Sequence, residues 1–258
     1  MYIGDGSNYR IRKVLSSTSV IQTIAGTGTA GYGGDNGPST SAAVNHAFGV
    51  AVDTLGNVYI SDELNNRVRK IAASTGVITT IAGNGTAGYS GDGGQATGAM
   101  IVYPVGINLD SAGNVYFGCN LAGGVIRKIT VSSGVISTVV GTASTSGGYN
   151  GDNILATAAT LNVPFDVVLD SYDNLYVCDR YNYRVRKVDM STGIITTVVG
   201  TGISSSAEDG SITTSTSIKG ACYSRFDSVG DYYISECDGN RLRKIKVINT
   251  DVPTPVPR

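Results

Sequence analysis

Short runs in which apolar and polar residues alternate recur along the whole chain, separated by glycine, asparagine and aspartate. In one stretch, residues 57 to 62 read Asn-Val-Tyr-Ile-Ser-Asp, 67 to 71 read Arg-Val-Arg-Lys-Ile and 77 to 82 read Val-Ile-Thr-Thr-Ile-Ala. Just before them Gly49 to Asp53 alternates small and apolar residues. A period of two argues for strands half buried on a sheet, and the Leu-Gly-Asn, Asn-Asn and Thr-Gly sequences between the runs supply tight turns. The pattern predicts four short strands joined by three hairpins, followed by a long loop.

The same strand pair occurs five times, at Met1 to Val14, Val58 to Ile71, Val115 to Ile129, Leu175 to Val188 and Tyr232 to Ile245. Its tyrosines, Tyr2, Tyr59, Tyr116, Tyr176 and Tyr233, lie 57, 57, 60 and 57 residues apart. Asp35 and Asp53, Asp92 and Asp110, Asp152 and Asp170, and Asp209 and Asp227 are each 18 residues apart, so even the loops keep their length. One unit has been copied. A four-stranded meander cannot bury both faces alone, and copies at a fixed period bury them by stacking around an axis. The expected fold is therefore an all-β propeller of four-stranded antiparallel blades, with five blades visible. The chain opens with the second, third and fourth strands of a blade and closes with the first, second and third. That leaves an irregular closure, or a ring of five or six blades completed by further sequence. Residues 1–248 read as one propeller domain. Residues 249–258, where Pro253, Pro255 and Pro257 alternate, read as an extended linker or tail. Met1 stands where the repeat has Val58, inside a strand and with no room for a signal peptide, which reads as an excised piece of a longer chain.

Composition agrees with short strands and many turns: 35 glycines among 258 residues, 15% charged residues and no tryptophan. The apolar runs are a few residues long, far from the roughly 18 needed to span a bilayer, so no direct membrane insertion is expected. A net charge of −1 gives no overall pull towards nucleic acid. Most of the 19 basic residues sit in the repeated tracts, as in Arg67, Arg69 and Lys70. Of four cysteines, Cys222 and Cys237 fall on the two arms of a hairpin turning at Ser228 to Gly230, with 222 and 236 roughly opposite, and either bond or stay reduced. Cys119 and Cys178 are expected to be free and buried.

The tracts Gly-Asn-Val-Tyr-Ile-Ser-Asp (56–62), Asn-Asn-Arg-Val-Arg-Lys-Ile (65–71) and Gly-Val-Ile-Thr-Thr-Ile-Ala-Gly (76–83) resemble the NHL-repeat family of β-propellers over nearly the whole chain. The intervening Gly-Tyr-Ser-Gly-Asp-Gly-Gly (88–94) is similar to the longer-loop subtype of large extracellular proteins, teneurin-like propellers among them. The resemblance implies four-stranded blades, in a family where six-bladed rings are common. It is specific for fold and nearly silent on activity.

Four acids stand five residues before an arginine across the second-to-third-strand turn: Asp5 and Arg10, Asp62 and Arg67, Asp179 and Arg184, Glu236 and Arg241. In the third unit Cys119 and Val125 replace both, a joint loss that points to a mutual, turn-stabilising ion pair rather than a ring of ligand-binding charges. The long loops carry Tyr32 with Asp35, Tyr89 with Asp92 and Tyr149 with Asp152, while the fourth loop, with Ser204 to Ser206 and Asp209, has no tyrosine. In a propeller these loops and the second-to-third-strand turns share a rim, so the three stations would face a protein or glycan partner. The alternative is that Asp caps the next short turn, near Ala42 or Ala99, and Tyr packs on the loop, with Val44, Ile101, Leu161 and Ile218 as apolar anchors. One acid per loop falls short of an oxygen cage, so calcium is a weak reading and no other cofactor is expected.

His46 is the sole histidine, and it replaces Tyr103 and Val163 of other units, which suits a packing residue. The His-based zinc site of peptide-amidating lyases that share the repeat cannot be built on it, and no Gly-x-Ser-x-Gly elbow appears. Acids nearly balance the bases and few aromatics flank the arginines, which argues against nucleic acid. The expected function is a non-catalytic scaffold or binding module of a larger extracellular or cell-surface protein. That location draws on the family subtype, the linker, the Cys222 and Cys237 pair and the sequon Asn84-Gly85-Thr86. Two alternatives stand beside it: an architectural subunit that self-assembles through open propeller edges, and a hydrolase or lyase with a metal site in its channel.

Overall fold

The computed structural model describes residues 1–205, 209–210 and 212–246, so the proline-rich segment 249–258 lies outside the described residues, as does Ser206. Its strands form five antiparallel sheets, the blades of an all-β propeller. The first holds β1 (Tyr2–Asp5), β2 (Arg10–Val14) and β3 (Ile21–Ala25), in that order. The second holds β4 (Gly37–Pro38), β5 (Ala47–Val52), β6 (Val58–Asp62), β7 (Arg67–Ile71) and β8 (Val77–Ala82), ordered β4-β8-β7-β6-β5. The third, β9 (Pro104–Leu109), β10 (Val115–Cys119), β11 (Ile126–Thr130) and β12 (Val135–Val140), is ordered β12-β11-β10-β9. The fourth, β13 (Ile154–Leu155), β14 (Pro164–Leu169), β15 (Leu175–Asp179), β16 (Arg184–Asp189) and β17 (Ile194–Val199), repeats the second as β13-β17-β16-β15-β14. The last is β18 (Ala221–Phe226), β19 (Tyr232–Glu236) and β20 (Arg241–Ile245).

The alternation thus gave the four-stranded unit and left out one element. The two-residue strands β4 and β13 belong to the long loops and pair with the outer strands β8 and β17. Each loop therefore reaches the outer edge of the next blade before it turns in to become that blade's inner strand. Asn36 donates its amide to the Ile78 carbonyl at 2.8 Å and Ser39 to that of Gly76 at 2.9 Å. Covering the outer edge occupies backbone groups that an open strand would offer to another chain. Where each outer strand ends, a glycine is required: Gly83 and Gly200 take φ +88° and +96°, and a Cβ there would lie 2.2 Å from the Asn66 and Tyr183 carbonyl oxygens.

The molecule divides into two compact units, the boundary running through the third sheet. The first comprises Met1–Leu109, Gly113–Phe117 and Lys128–Ser137; the second comprises Asp110–Ala112, Gly118–Arg127 and the described residues from Thr138 onward. In the first unit Ile11 and Ala25 of one blade pack with Val58, Ile60, Ile71 and Ile78 of the next, around Ala42 and Val44 of the loop between them. In the second unit Tyr176, Val185 and Val199 pack with Tyr232 and Ile234 around Ile218. The expected anchors Val44, Ile101, Leu161 and Ile218 are all fully buried.

Cys222 and Cys237 form a disulfide with Cα atoms 5.9 Å apart. A register shift between Ala221 and Tyr223 brings Cys222 to Cys237 while Ala221 pairs with Glu236. Cys119 and Cys178 are free and buried. The bond closes a sequence separation of 15 residues, for which chain entropy gives about 3 kcal/mol. Cys222→Ser should lower the unfolding free energy by about that amount in urea, with reductant no longer changing the midpoint. Equal midpoints for the oxidised parent and the variant would show the bond to be energetically silent.

Candidate functional site

The turn from β6 to β7 organises everything around it. Asp62 ends β6 directly opposite Arg67 in the strand register, as predicted, yet its side chain is turned inward and fully buried. It accepts the Asn45 amide at 2.7 Å and the Asn65 side-chain amide at 2.9 Å. Its cationic partner is Arg69, whose Nη1 lies 3.2 Å from Asp62 Oδ2. The side chain of Arg69 is itself fully buried, and its Nη2 reaches out to the loop arriving from the preceding blade. There it bonds Asp35 Oδ1 at 2.6 Å and the Gly33 carbonyl at 3.1 Å. One guanidinium thus joins an acid of its own blade to an acid of the incoming loop.

The fourth blade repeats the set. Asp179 accepts from the Asn162 amide and the Asn182 side chain, both at 2.7 Å, and lies 3.7 Å from Arg186. Arg186 donates to Asp152 at 3.0 Å and to the Gly151 carbonyl at 2.7 Å. In the fifth blade Arg243 joins Glu236 and Asp209, and in the first Arg12 lies 4.0 Å from Asp5. The sequence pairing of each acid with the arginine five residues on is therefore corrected to the one seven residues on. The pairings of Asp5 with Arg10, Asp62 with Arg67, Asp179 with Arg184 and Glu236 with Arg241 hold for backbone register, and the ion pairs lie on the adjacent diagonal. The reason is the turn itself, because Asn65 and Asn182 draw the carboxylates inward, away from their direct neighbours.

The directly opposed arginine has different work. Arg67 lies over the Tyr32 ring, 3.6 Å from its centroid, and donates to the carbonyls of Asn65 at 3.0 Å and Asn84 at 2.9 Å. Arg184 lies 3.9 Å over Tyr149 and bonds the carbonyls of Asn182 and Thr201. Arg10 bonds the Thr27 carbonyl. In the third blade Arg127, at the place of Arg69, is kept and buried although Cys119 and Val125 replace the other two. Their joint loss is therefore not the loss of one ion pair.

Asp35 is held by Arg69, by the Thr80 hydroxyl at 2.6 Å and by the Tyr32 hydroxyl at 3.1 Å. Asp152 takes Thr197 in the same way, and Tyr89 donates to Asp92 at 3.1 Å. The Asp residues were alternatively expected to cap the next short turn. The 3-10 turns at Ser39–Ser41, Ala96–Gly98 and Ala156–Ala158 have Pro38, Gln95 and Leu155 at the capping position and no side-chain cap, so that role is not taken. The tyrosines, by contrast, keep 46%, 44% and 39% of their surface at Tyr32, Tyr89 and Tyr149. Each ring is half-exposed; beneath them Asp35 and Asp152 are half-buried, whereas Asp92 is exposed.

Burial pushes the Asp62 carboxyl up against the pull of its hydrogen bonds and Arg69, and pushes Asp179 up to about 6. Burial also opposes the charge of Asp35, yet Thr80, Arg69 and Tyr32 together hold its carboxyl below the usual range. His46 packs edge-on against Phe48, with centroids 4.9 Å apart, and its Nδ1 lies 3.7 Å from Glu63. Two further pairs were not foreseen. Arg180 bonds Asp238 at 2.7 Å and lies over Phe165 and Tyr181. Asp166, fully buried, accepts Arg225 at 2.8 Å and the Ser224 amide at 2.9 Å. The partners in each pair sit one repeat apart, and Asp166 takes a place where earlier blades have Gly49 and Gly106; that break in the repeat was the available signal. Beside them burial pushes the Cys178 thiol far up, so it is no thiolate nucleophile at neutral pH. Among the described residues no three His, Cys, Asp or Glu side chains converge to hold a metal.

A family described as the Teneurin NHL domain matches residues 84–148. Teneurin-3 of Danio rerio is 28% identical over 227 residues, covering 80% of this chain and 8% of that protein. NHL repeat-containing protein 2 of Bos taurus is 26% identical over 246 residues, covering 84% of this chain and 33% of that protein. The chain thus spans a third or less of the length of these relatives. A solved structure of a nidogen/laminin complex superposes with a TM-score of 0.63 at 14% identity, over 98% of this chain and 77% of that one, a likeness of fold.

Removing Arg69 strands two acids, one of them buried. Arg69→Met should cost about 3–5 kcal/mol in urea, and Arg69→Lys should recover little of it because one ammonium cannot span both carboxylates. A loss below about 1 kcal/mol would show the bridge to be replaceable. For Asp179 the folded pKa lies above the unfolded one, so the folded state binds the extra proton. Its contribution is complete below about pH 4 and is lost as pH rises through about 6. Asp179→Asn should remove that fall from the pH profile of stability, and identical profiles for parent and variant would contradict the assignment.

Proposed function

We propose, from its membership of the NHL-repeat β-propellers, that this chain is a non-catalytic binding module of a larger protein, presenting its long loops to a protein or glycan partner. The observation that carries the reading is the state of the loop tyrosines. Tyr32 and Tyr149 are clamped by arginine faces and, with Tyr89, tied by their hydroxyls or neighbours to polar anchors, yet each stays more than a third exposed. A ring already ordered before contact gives area and a polar tip at little entropic cost on binding. The acids of the same stations, Asp35 and Asp152, are committed to Arg69 and Arg186 and serve as supports. Site residues in this reading are Tyr32, Tyr89 and Tyr149, with Asp35, Asp92 and Asp152 beneath them.

An extracellular or cell-surface setting belongs to the same proposal. It draws support from the Cys222–Cys237 disulfide and from Asn84, which is exposed within its sequon. The test is a triple variant, Tyr32→Ser, Tyr89→Ser and Tyr149→Ser, offered beside the parent to an array of immobilised glycans and to intact cell surfaces. The expected result is that the parent binds and the triple variant binds at least about tenfold less, with an unchanged melting curve. Equal binding by the two, or a parent that binds nothing, would overturn the loop reading. A variant that unfolds would show the rings to be packing residues instead.

A further inference from the structure

Departures from the repeat gather at the junction of the fourth and fifth blades, both of which belong to the second unit. Arg180 and Tyr181, on the turn after β15, stand where the second blade has Glu63 and Leu64. Asp238, on the turn after β19, again takes the place of Leu64, and Tyr223 of β18 takes that of Gly49. The structure brings these four residues together around Phe165. Arg180 donates from Nη2 to Asp238 Oδ1 at 2.7 Å and from Nε to Oδ2 at 3.4 Å. Its guanidinium carbon lies 5.4 Å from the ring centroid of Phe165 and 4.9 Å from that of Tyr181. The Tyr223 ring meets Phe165 edge to face, with centroids 5.2 Å apart. Tyr181 is 43% exposed, and Arg180 and Asp238 keep 19% and 34% of their side-chain surface. Two cross-links flank the cluster in sequence. Cys222 and Cys237, joined by the disulfide, precede Tyr223 and Asp238, and Asp166, which accepts the Ser224 amide and Arg225, follows Phe165.

We propose that this cluster is a binding site for a neutral saccharide, separate from the loop tyrosines. The charges of Arg180 and Asp238 cancel, so a charged ligand gains nothing from their net field and would have to displace one partner from the other. A sugar hydroxyl, by contrast, both donates and accepts. The pair uses one lone pair on each Asp238 oxygen and two of the five guanidinium N–H groups, which leaves acceptors and donors side by side for adjacent hydroxyls. The Tyr181 ring adds an apolar surface with a polar tip for the C–H face of the same sugar. Affinity in so small a site depends on its being ordered before contact. The disulfide fixes Tyr223 and Asp238 through their neighbours, and the Asp166 bonds hold β18 against β14. Both cross-links thereby acquire a common purpose, which the repeat architecture does not require, since the second blade is built without them.

The test is titration calorimetry with neutral oligosaccharides (glucans, galactans, mannans and xylans), beside sialylated and sulfated ones and acidic and basic peptides. The expected result is binding of at least one neutral sugar by the parent. Tyr181→Leu should raise its dissociation constant at least about tenfold with an unchanged melting curve, because the second blade folds with Leu64 at that place. If Tyr181→Leu melts early, Asp238→Asn replaces it under the same criteria. The variant carrying Tyr32→Ser, Tyr89→Ser and Tyr149→Ser should bind the same sugar as the parent does, which keeps this site distinct from the loop reading. A parent that binds no neutral sugar, binding confined to the charged probes, parental affinity in Tyr181→Leu, or loss of the sugar in the loop variant overturns the proposal.

Discussion

The structure turns on a buried guanidinium that must face two acids at once. Arg69 cannot be left in the interior unpaired, since an isolated charge there costs several kcal/mol, and a single partner would leave most of its donors unused. Asp62 comes from the same blade and Asp35 from the loop before it, so satisfying the arginine also fixes where the loop lands. Arg186 imposes the same condition through Asp179 and Asp152. A loop of more than 20 residues, with only a two-residue strand and one 3-10 turn of its own, is thereby given a fixed end point at each of these blades.

From that constraint the other features follow in order. The loop, once held, brings β4 or β13 to the outer strand and its anchor, Val44 or Leu161, into the buried interior. The anchor packs inside, and the tyrosine of the same loop, Tyr32 or Tyr149, comes to rest against Arg67 or Arg184, which donates to backbone carbonyls on either side. Rigidity at the base and exposure at the tip are consequences of one arrangement. In the proposed reading this lets the loops present rings that are held in place before contact, with Asp35 and Asp152 as supports and Tyr32 and Tyr149 as contact surface.

The repeat made the architecture legible. Alternation found β7 and β8 to the residue, and the Tyr spacing fixed the unit, because period and turn residues are local properties. The pairing of acid with arginine was legible only by half. Sequence distance and register favoured Arg67, while the choice of Arg69 depends on Asn65 turning the Asp62 side chain inward, a three-dimensional competition that spacing alone does not express. The two-residue strands are too short to show a period, and Asp166 with Arg225 joins blades through residues that no motif marks. The cysteine pair was anticipated from hairpin geometry, and the register shift that completes it was not.

If the double-faced arginine is what seats the loops, its removal should loosen the loop before it and leave distant blades alone. Amide hydrogen exchange of Arg69→Met reads this directly, in conditions where the variant is still folded. The account predicts that amides of Asn36 and Ser39, which bond the outer strand of the second blade, exchange at least about tenfold faster, with β18 to β20 unchanged. Unchanged exchange at Asn36 and Ser39, or equal acceleration in every blade, would contradict it.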